Sequence, residues 1–145
     1  MIFLCLLIKS HNVKTIFEFG TFTGKTTYNL ALNLPKDGHI YTIDIGRDID
    51  RSNVDGKGYE SSYVVGKFFL SSPDEVKRKI TQLTSNSRKT NYGQFECKMD
   101  LVFIDGGHQY DVVRSDSANA FKMLKRRGII VWHDYDPYWP GVMKR

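Results

Sequence analysis

Cysteine is scarce in this sequence, and so is any long apolar run. The two cysteines, Cys5 and Cys97, lie far apart and away from any histidine pair. This excludes a disulfide framework and paired zinc ligands, and it indicates a reducing compartment. The apolar run near the N-terminus covers only about seven residues, too few to span a bilayer, and it lacks a basic leader with a cleavage site. We therefore expect a cytoplasmic protein without membrane contact.

Charge of one sign is also limited. The formal net charge is +5 at pH 7, and the basic residues are scattered along the chain. Scattered basic charge is typical of solvated helix faces and disfavours a nucleic acid as partner, although an anionic substrate fits it. With 41% hydrophobic and 26% charged residues, the composition is that of an ordinary globular protein. A chain of this length predicts one domain, 1–145, with one functional site.

Short apolar segments alternate with amphipathic ones along the chain. Segments rich in β-branched and aromatic residues predict buried strands at 14–20, 39–45, 62–66, 99–106 and 128–134. Helical patterns lie at 26–34, 73–83 and 110–127. The polar stretches 46–61 and 84–98 predict exposed connections, the first a candidate lid. The alternation predicts an α/β fold: a doubly wound, Rossmann-like, mostly parallel sheet with helices on both faces.

A turn with two glycines, Gly20 and Gly24, follows the first predicted strand. A phosphate-binding P-loop would need glycine where Phe19 stands, and the dinucleotide fingerprint would need a third glycine. The two glycines still allow a ligand close to the backbone, and the following helix presents free amides to a carboxylate. Glu18 at the strand tip is suited to pair with an ammonium, directly or through water. The turn therefore predicts binding of a zwitterionic amino-acid group.

Asp44 ends the second predicted strand, about twenty residues beyond Gly20. A carboxylate at this position accepts hydrogen bonds from the two hydroxyls of a ribose, and the alternative is a helix cap after the strand. S-adenosylmethionine (SAM) joins an amino acid to a ribose. The glycine turn and Asp44 together predict SAM as the cofactor.

Two stretches that carry these residues resemble a known family. "FEFGTFTGKTTYNLALNLPKDGHIYTIDI" resembles the first motifs of the class I SAM-dependent methyltransferases, in the branch of the catechol and caffeoyl-coenzyme A O-methyltransferases. "DLVFIDGGHQYDVVRSDSANAFKMLKRRGIIVWHDY" is similar to the macrolide-sugar O-methyltransferases, where one strand ends Asp-Gly-x-His-x-Tyr and the next ends His-Asp. The family continues beyond this point, so we expect a sheet truncated after the fifth strand. The sequence is either a fragment or a short form whose open sheet edge a second subunit covers, as a homo-oligomer.

The resemblance implies a role for each residue of the glycine turn. Glu18, Gly20, Thr21 and Gly24 would contact the methionine part of SAM, and Asp44 would contact the ribose. Lys25 would be an exposed residue of the first helical turn. The loop residues would thus bind cofactor rather than phosphate.

The resemblance also implies a catalytic group. Asp105 and Asp134 would hold Mg²⁺, and His108 would be the general base. Asp105 could instead cap loop amides, and His108 could be a surface or helix-start residue. His133 is either a third ligand or the packed end of its strand, and the preference of Mg²⁺ for oxygen favours packing.

The function that follows from the resemblance is that of an enzyme. It would be a SAM-dependent methyltransferase acting on a small-molecule or sugar hydroxyl with magnesium assistance. Two alternatives stay open: a catalytically silent SAM-binding module or subunit of a larger assembly, and a nucleic-acid methyltransferase suggested by the +5 charge. Tyr135, Tyr138 and Trp139 are candidates for an aromatic substrate wall or a contact surface.

Overall fold

The computed structural model describes residues 1–45 and 64–144. The candidate lid at 46–61 lies outside these described residues. The helices are α1 Ile2–Ser10, α2 Lys25–Asn33, α3 Lys67–Leu70, α4 Asp74–Lys77, α5 Tyr110–Met123 and α6 Pro140–Met143, with single 3-10 turns at Ser87–Lys89 and Gly93–Phe95. The strands are β1 Thr15–Phe19, β2 His39–Asp44, β3 Ile80–Thr84, β4 Met99–Ile104 and β5 Leu124–Trp132. Across both described ranges, every helix is too short or too polar to cross a bilayer.

The five strands form one sheet in the order β3-β2-β1-β4-β5, and every neighbouring pair is parallel. This confirms the predicted α/β architecture. The strand order reverses between β1 and β4, because the chain first winds outward to β3 and then returns to the other side of β1. A reversal of this kind opens a crevice at the carboxyl ends of the two central strands, where α/β proteins bind ligands.

Both faces of the sheet are covered, as predicted. Alternate side chains of β1 point to opposite faces, so Ile16 packs with Leu4 and Leu30 of α1 and α2, while Phe17 packs with Met123 of α5. The apolar N-terminal segment is therefore a helix on the core. The two clusters fix the central strands rigidly, and their tips can hold functional groups in place.

The third strand differs from its prediction. The sequence predicted a strand at 62–66, but residues 64–66 form a turn that leads into α3, and residues 62–63 are not described. The predicted helix at 73–83 ends at Lys77, and its second half is β3. Ile80 pairs with Ile40 of β2 and packs on the core. Pairing with β2 therefore overrides the helical pattern.

Two further predictions need correction. The connection at 84–98 is not wholly exposed, because Tyr92 and Phe95 are buried with their rings against Phe17. The helix predicted to reach 127 ends at Met123, and the basic run that follows lies in an irregularity of β5, with Arg127 at a φ of 70°. The glycine after the basic run is part of this bulge and does not end a helix.

Candidate active site

The carboxyl ends of β1, β4 and β5 bring distant parts of the sequence to one edge. Beyond the strands, the Asp105 N–H donates to the carbonyl of Phe19 (2.8 Å), and the His133 N–H donates to the carbonyl of Ile104 (2.9 Å). These bonds continue the parallel ladders past the strand tips. The residues predicted to bind cofactor and metal therefore lie side by side.

Both glycines of the turn are required by its shape. Gly20 has a φ of 92° and Gly24 a φ of 76°, in the left-handed region that favours glycine. A Cβ at Gly20 would collide with the backbone carbonyl of Asp105, and one at Gly24 would lie 2.8 Å from the Cα of Gly66. Gly24 also stands at the N-cap of α2. The turn thus packs directly on the β4 tip and on the residue before α3.

Asp44 reaches the same turn from β2. Its Oδ2 accepts hydrogen bonds from the backbone amides of Thr21 (2.9 Å) and Phe22 (2.6 Å). The carboxylate caps the glycine turn, while the alternative, a helix cap after β2, falls on residues outside the described ranges. Asp44 and Thr21 are brought together, while the ribose contact stays a prediction.

Glu18 lies beneath the turn and is fully buried. Its Oε2 accepts hydrogen bonds from the hydroxyls of Thr27 and of Thr42, the latter at 2.6 Å. Burial raises the pKa of Glu18 to about 8, although the two hydroxyls act in the opposite direction. Its Oε1 has no hydrogen-bond partner among the described residues. Glu18 is therefore a mostly protonated group under the turn at neutral pH, and its contact with the SAM ammonium stays a prediction.

Sequence reasoning missed the polar network around Glu18. Thr42 donates to Glu18 and also lies 2.7 Å, oxygen to oxygen, from the buried hydroxyl of Thr21. Gln82 of β3 donates to the same Thr21 hydroxyl at 3.1 Å. The available signal was a threonine at the buried centre of an apolar strand, which needs a polar partner.

Asp105, Asp134 and His108 come together on the other side of the turn. His108 Nε2 lies 2.8 Å from Asp134 Oδ2. His133 Nδ1 lies 2.9 Å from Asp134 Oδ1 and 3.1 Å from Asp105 Oδ1. The predicted catalytic group is therefore assembled, and His133 is part of it. Its ring is mostly exposed, so it is not the packed end of a strand.

The charges in this cluster act on one another. Burial raises the pKa of Asp105 to about 6, with the neighbouring histidines opposing and Asp134 reinforcing the shift. Burial would raise the pKa of Asp134 too, but hydrogen bonds from His133 and His108 outweigh it and lower the value. The same carboxylates raise the pKa of His133 against the effect of its burial. Asp134 and His133 thus stabilise each other's charged forms.

Trp139 covers His108 from the C-terminal side. The two rings are stacked, with centroids 3.8 Å apart and planes 19° from parallel. Gly141 of α6 packs on the backbone of His108, where a Cβ would collide with the carbonyl. Asp134 has a φ of 53°, an uncommon conformation of the kind found at functional sites. Among the three candidate wall aromatics, Trp139 stacks on the proposed general base.

The cluster fits a divalent cation. One ligand atom each from Asp105, His133 and Asp134 lies within 4.8 Å of the others. Paired carboxylates repel each other, and a cation between them offsets that repulsion and the cost of burial. The two carboxylates predicted to bind metal therefore converge, with an imidazole as a third candidate.

This chain is similar in sequence to proteins named as methyltransferases. A sequence family described as "Methyltransferase domain" matches residues 17–135. The tapetum-specific methyltransferase 1 of Arabidopsis thaliana is 48% identical over 142 residues, covering 98% of this chain and 54% of that protein. A caffeoyl-CoA O-methyltransferase of Zinnia elegans is 46% identical over 46 residues, 32% of this chain and 19% of that protein. The chain spans about half the length of the curated relatives that it matches over most of its own length.

A solved structure agrees in fold. The O-methyltransferase TomG of Streptomyces achromogenes, involved in tomaymycin synthesis and solved in complex with SAM, superposes with a TM-score of 0.68 at 21% identity. The match covers 97% of this chain and 63% of the other. With the family match over residues 17–135, these findings show that the chain belongs to the class I SAM-dependent methyltransferases, in the O-methyltransferase group that includes the caffeoyl-CoA enzymes.

Proposed function

We propose that this chain, as a single domain, transfers the methyl group of SAM to a hydroxyl of a small molecule or sugar. The observation that carries the proposal is the assembly of His108, Asp134 and Asp105 beside the glycine turn. Methyl transfer to an oxygen needs an in-line approach and removal of the hydroxyl proton. The glycine turn would bind the cofactor, and the cluster would supply the groups that remove the hydroxyl proton.

The glycine turn and Asp44 are proposed to hold SAM. The turn leads into the N-terminus of α2, which presents amides to the methionine carboxylate. Glu18 lies beneath the turn for the ammonium, whose positive charge would favour the ionised form of this buried carboxyl. Asp44 lies against the turn amides within reach of a ribose bound there. When bound, SAM supplies a methyl group on a positively charged sulfur. The chain's residues orient it and exclude water.

His108 is proposed as the general base. A lowered pKa keeps Asp134 ionised, so the Nε2–H of His108 donates a hydrogen bond to Asp134 Oδ2. The lone pair of neutral His108 then lies on Nδ1, and this atom takes the hydroxyl proton. Asp134 stabilises the imidazolium that results, as a carboxylate partner does for other catalytic histidines.

Mg²⁺ assistance belongs to the same proposal. Asp105 and Asp134 would hold the ion, since hard carboxylate oxygens are its usual protein ligands. When bound, such an ion lowers the pKa of a coordinated hydroxyl and orients it. Stacking by Trp139 keeps His108 close to both carboxylates.

We also propose a cytoplasmic homo-oligomer. The two free cysteines support a reducing compartment. Within the described ranges, β5 bonds to β4 alone and is an edge strand, and exposed strand edges are normally covered. A second copy of the chain would provide that cover.

The proposed activity is tested by methyl transfer to a panel of catechols and sugars, with and without chelator. We expect turnover that falls on chelation, and a loss of about 100-fold or more in His108→Ala, because general bases contribute about that much. His11→Ala, at the end of α1, is the matched control and should not change the rate. Equal rates in His108→Ala and wild type would contradict the role of His108. SAM binding without turnover would support a silent module.

A further inference from the structure

His133 gives the metal cluster a nitrogen among its ligand atoms. Its Nδ1 faces the Oδ1 atoms of both Asp105 and Asp134, at 3.1 and 2.9 Å. The side chain is 56% exposed, and its ring meets Phe103 edge-on with centroids 6.0 Å apart. The ring is therefore oriented by the carboxylates and not buried by packing.

The backbone fixes His133 at this place. Its N–H donates to the carbonyl of Ile104, so the residue continues the parallel ladder between β4 and β5. Asp105 is likewise tied to Phe19 of β1. The nitrogen and the carboxylate thus extend from neighbouring strand tips of a rigid sheet, which is the support that a preorganised ligand set needs.

Asp134 connects the ligand set to the base. Its Oδ1 faces His133, while its Oδ2 accepts the hydrogen bond of His108. One oxygen can therefore bind a cation while the other continues to orient the imidazole of His108. Partners of this kind fix the orientation of metal ligands.

A nitrogen ligand changes which ion the site prefers. Mg²⁺ selects oxygen ligands, whereas imidazole suits first-row transition ions, and one histidine with carboxylates is a mixed set of that type. We propose that His133 Nδ1 is the third protein ligand of the cluster and that it shifts the ion preference from Mg²⁺ towards Mn²⁺ or Co²⁺. The inference rests on the proposed function, because it concerns the metal site of that same centre.

Pulsed electron paramagnetic resonance of Mn²⁺ bound to the chelator-treated chain tests the ligand directly. We expect modulation from a directly bound ¹⁴N that changes when the histidines are labelled with ¹⁵N. The signal should disappear in His133→Glu, which offers oxygen instead, and persist in His11→Ala. Calorimetric titrations with Mn²⁺ and Mg²⁺ should show the preference for Mn²⁺ falling about tenfold or more in His133→Glu.

Several results would overturn the inference. These are Mn²⁺ bound without nitrogen coupling in the wild type, failure of both ions to bind, or an unchanged preference in His133→Glu. If that variant does not fold, ¹⁵N labelling of the wild type and of His108→Ala still decides whether a histidine other than His108 binds. A titration with SAM in the absence of metal tests the proposed function separately. If the chain binds SAM but its metal site has no nitrogen ligand, only the role of His133 is wrong. If the chain does not bind SAM, the proposed function is wrong.

Discussion

At the scale of single residues, the site depends on carboxyl groups whose surroundings differ sharply. Glu18 is fully buried and mostly protonated, because burial outweighs its two hydroxyl partners. Asp134 is held ionised by two histidines. Asp44 accepts two backbone amides at the glycine turn. The protonation and the hydrogen-bond partners of these three acidic residues thus differ, because each one touches different groups.

Replacing Glu18 by glutamine should change how stability depends on pH. The pKa of Glu18 is raised from 4.5 to about 8 in the folded state, so between these values only the unfolded state loses its proton. The free energy of unfolding of the wild type therefore falls as pH rises through this window, by at most about 1.4 kcal/mol per pH unit from this group. Glu18→Gln lacks that contribution.

Urea unfolding at pH 5 and pH 8 measures the effect. The stability of Glu18→Gln relative to wild type should increase from pH 5 to pH 8 by about 1 kcal/mol or more. The exposed Glu96→Gln variant is the matched control, and its stability relative to wild type should not depend on pH in this way. If the difference in free energy of unfolding between Glu18→Gln and wild type is the same at both pH values, the pKa of Glu18 is not raised in the folded state.

Replacing Asp44 by alanine should weaken SAM binding about tenfold or more. The change removes a charged acceptor of two turn amides as well as the proposed ribose contact, and hydrogen bonds to charged groups are worth about 1.5–3 kcal/mol each. Lys25→Ala, exposed on the same turn, should leave the affinity within about threefold, because the turn holds no phosphate. Calorimetric titration with SAM and with adenosine measures the affinities of the Asp44→Ala and Lys25→Ala variants. A loss for SAM without a loss for adenosine would contradict the ribose contact.

At the scale of elements, the short helix α6 packs against the proposed general base, His108. Trp139 immediately precedes it and stacks on His108, while Gly141 allows α6 to lie against the His108 backbone. The long helix α5 begins at Tyr110, just beyond His108, and packs on the sheet through Ala120 and Met123. His108 is thus held between a long helix anchored in the core and a short one at the surface.

Removing the ring of Trp139 should loosen His108. Aromatic contacts of this kind contribute about 0.5–1.5 kcal/mol, so Trp139→Ala should reduce the methyl-transfer kcat by about threefold to tenfold and leave SAM affinity unchanged. The NMR signals of the His108 imidazole should move downfield, because the ring current of the indole is lost. Tyr138→Ala, at a residue that is 88% exposed, is the control. Unchanged His108 signals in Trp139→Ala would refute the stacking.

At the scale of the whole molecule, a central sheet is covered on its faces and has two edge strands within the described ranges, β3 and β5. The faces are closed by α1 and α2 on one side and by α5 on the other. Edge strands carry backbone groups available for pairing with another chain. The site lies near β5, so cover on that edge would also enclose the site.

Self-association should follow from this arrangement. We expect light scattering to give at least twice the chain mass of 16.7 kDa at micromolar concentration. Added salt should not dissociate the assembly if β5 pairs through its backbone, since backbone hydrogen bonds carry no net charge to screen. A mass of one chain at every concentration tested would contradict the proposed homo-oligomer.

Much of the fold was predictable because its signals are local. The strands β1, β2 and β4 are apolar runs bounded by polar or glycine residues, and the structure confirms them. β3 was missed because "ITQLT" follows a helix cap pattern, and only its pairing with β2 makes it a strand. The bulge of β5 was missed for a similar reason, since its register depends on Met99 and Leu101 of β4.

The sequence by itself determined the glycine turn, the order of strand and helix outside the region of β3, and the acidic and histidine residues at the strand tips, because spacing and residue type express these directly. Only the tertiary structure decided that Glu18 is buried under the turn, that Asp44 caps it, and that His133 and Trp139 join His108. The physical reason is that burial and contact depend on which strands are neighbours. Parallel pairing of β1, β4 and β5 brings together residues that lie far apart along the chain.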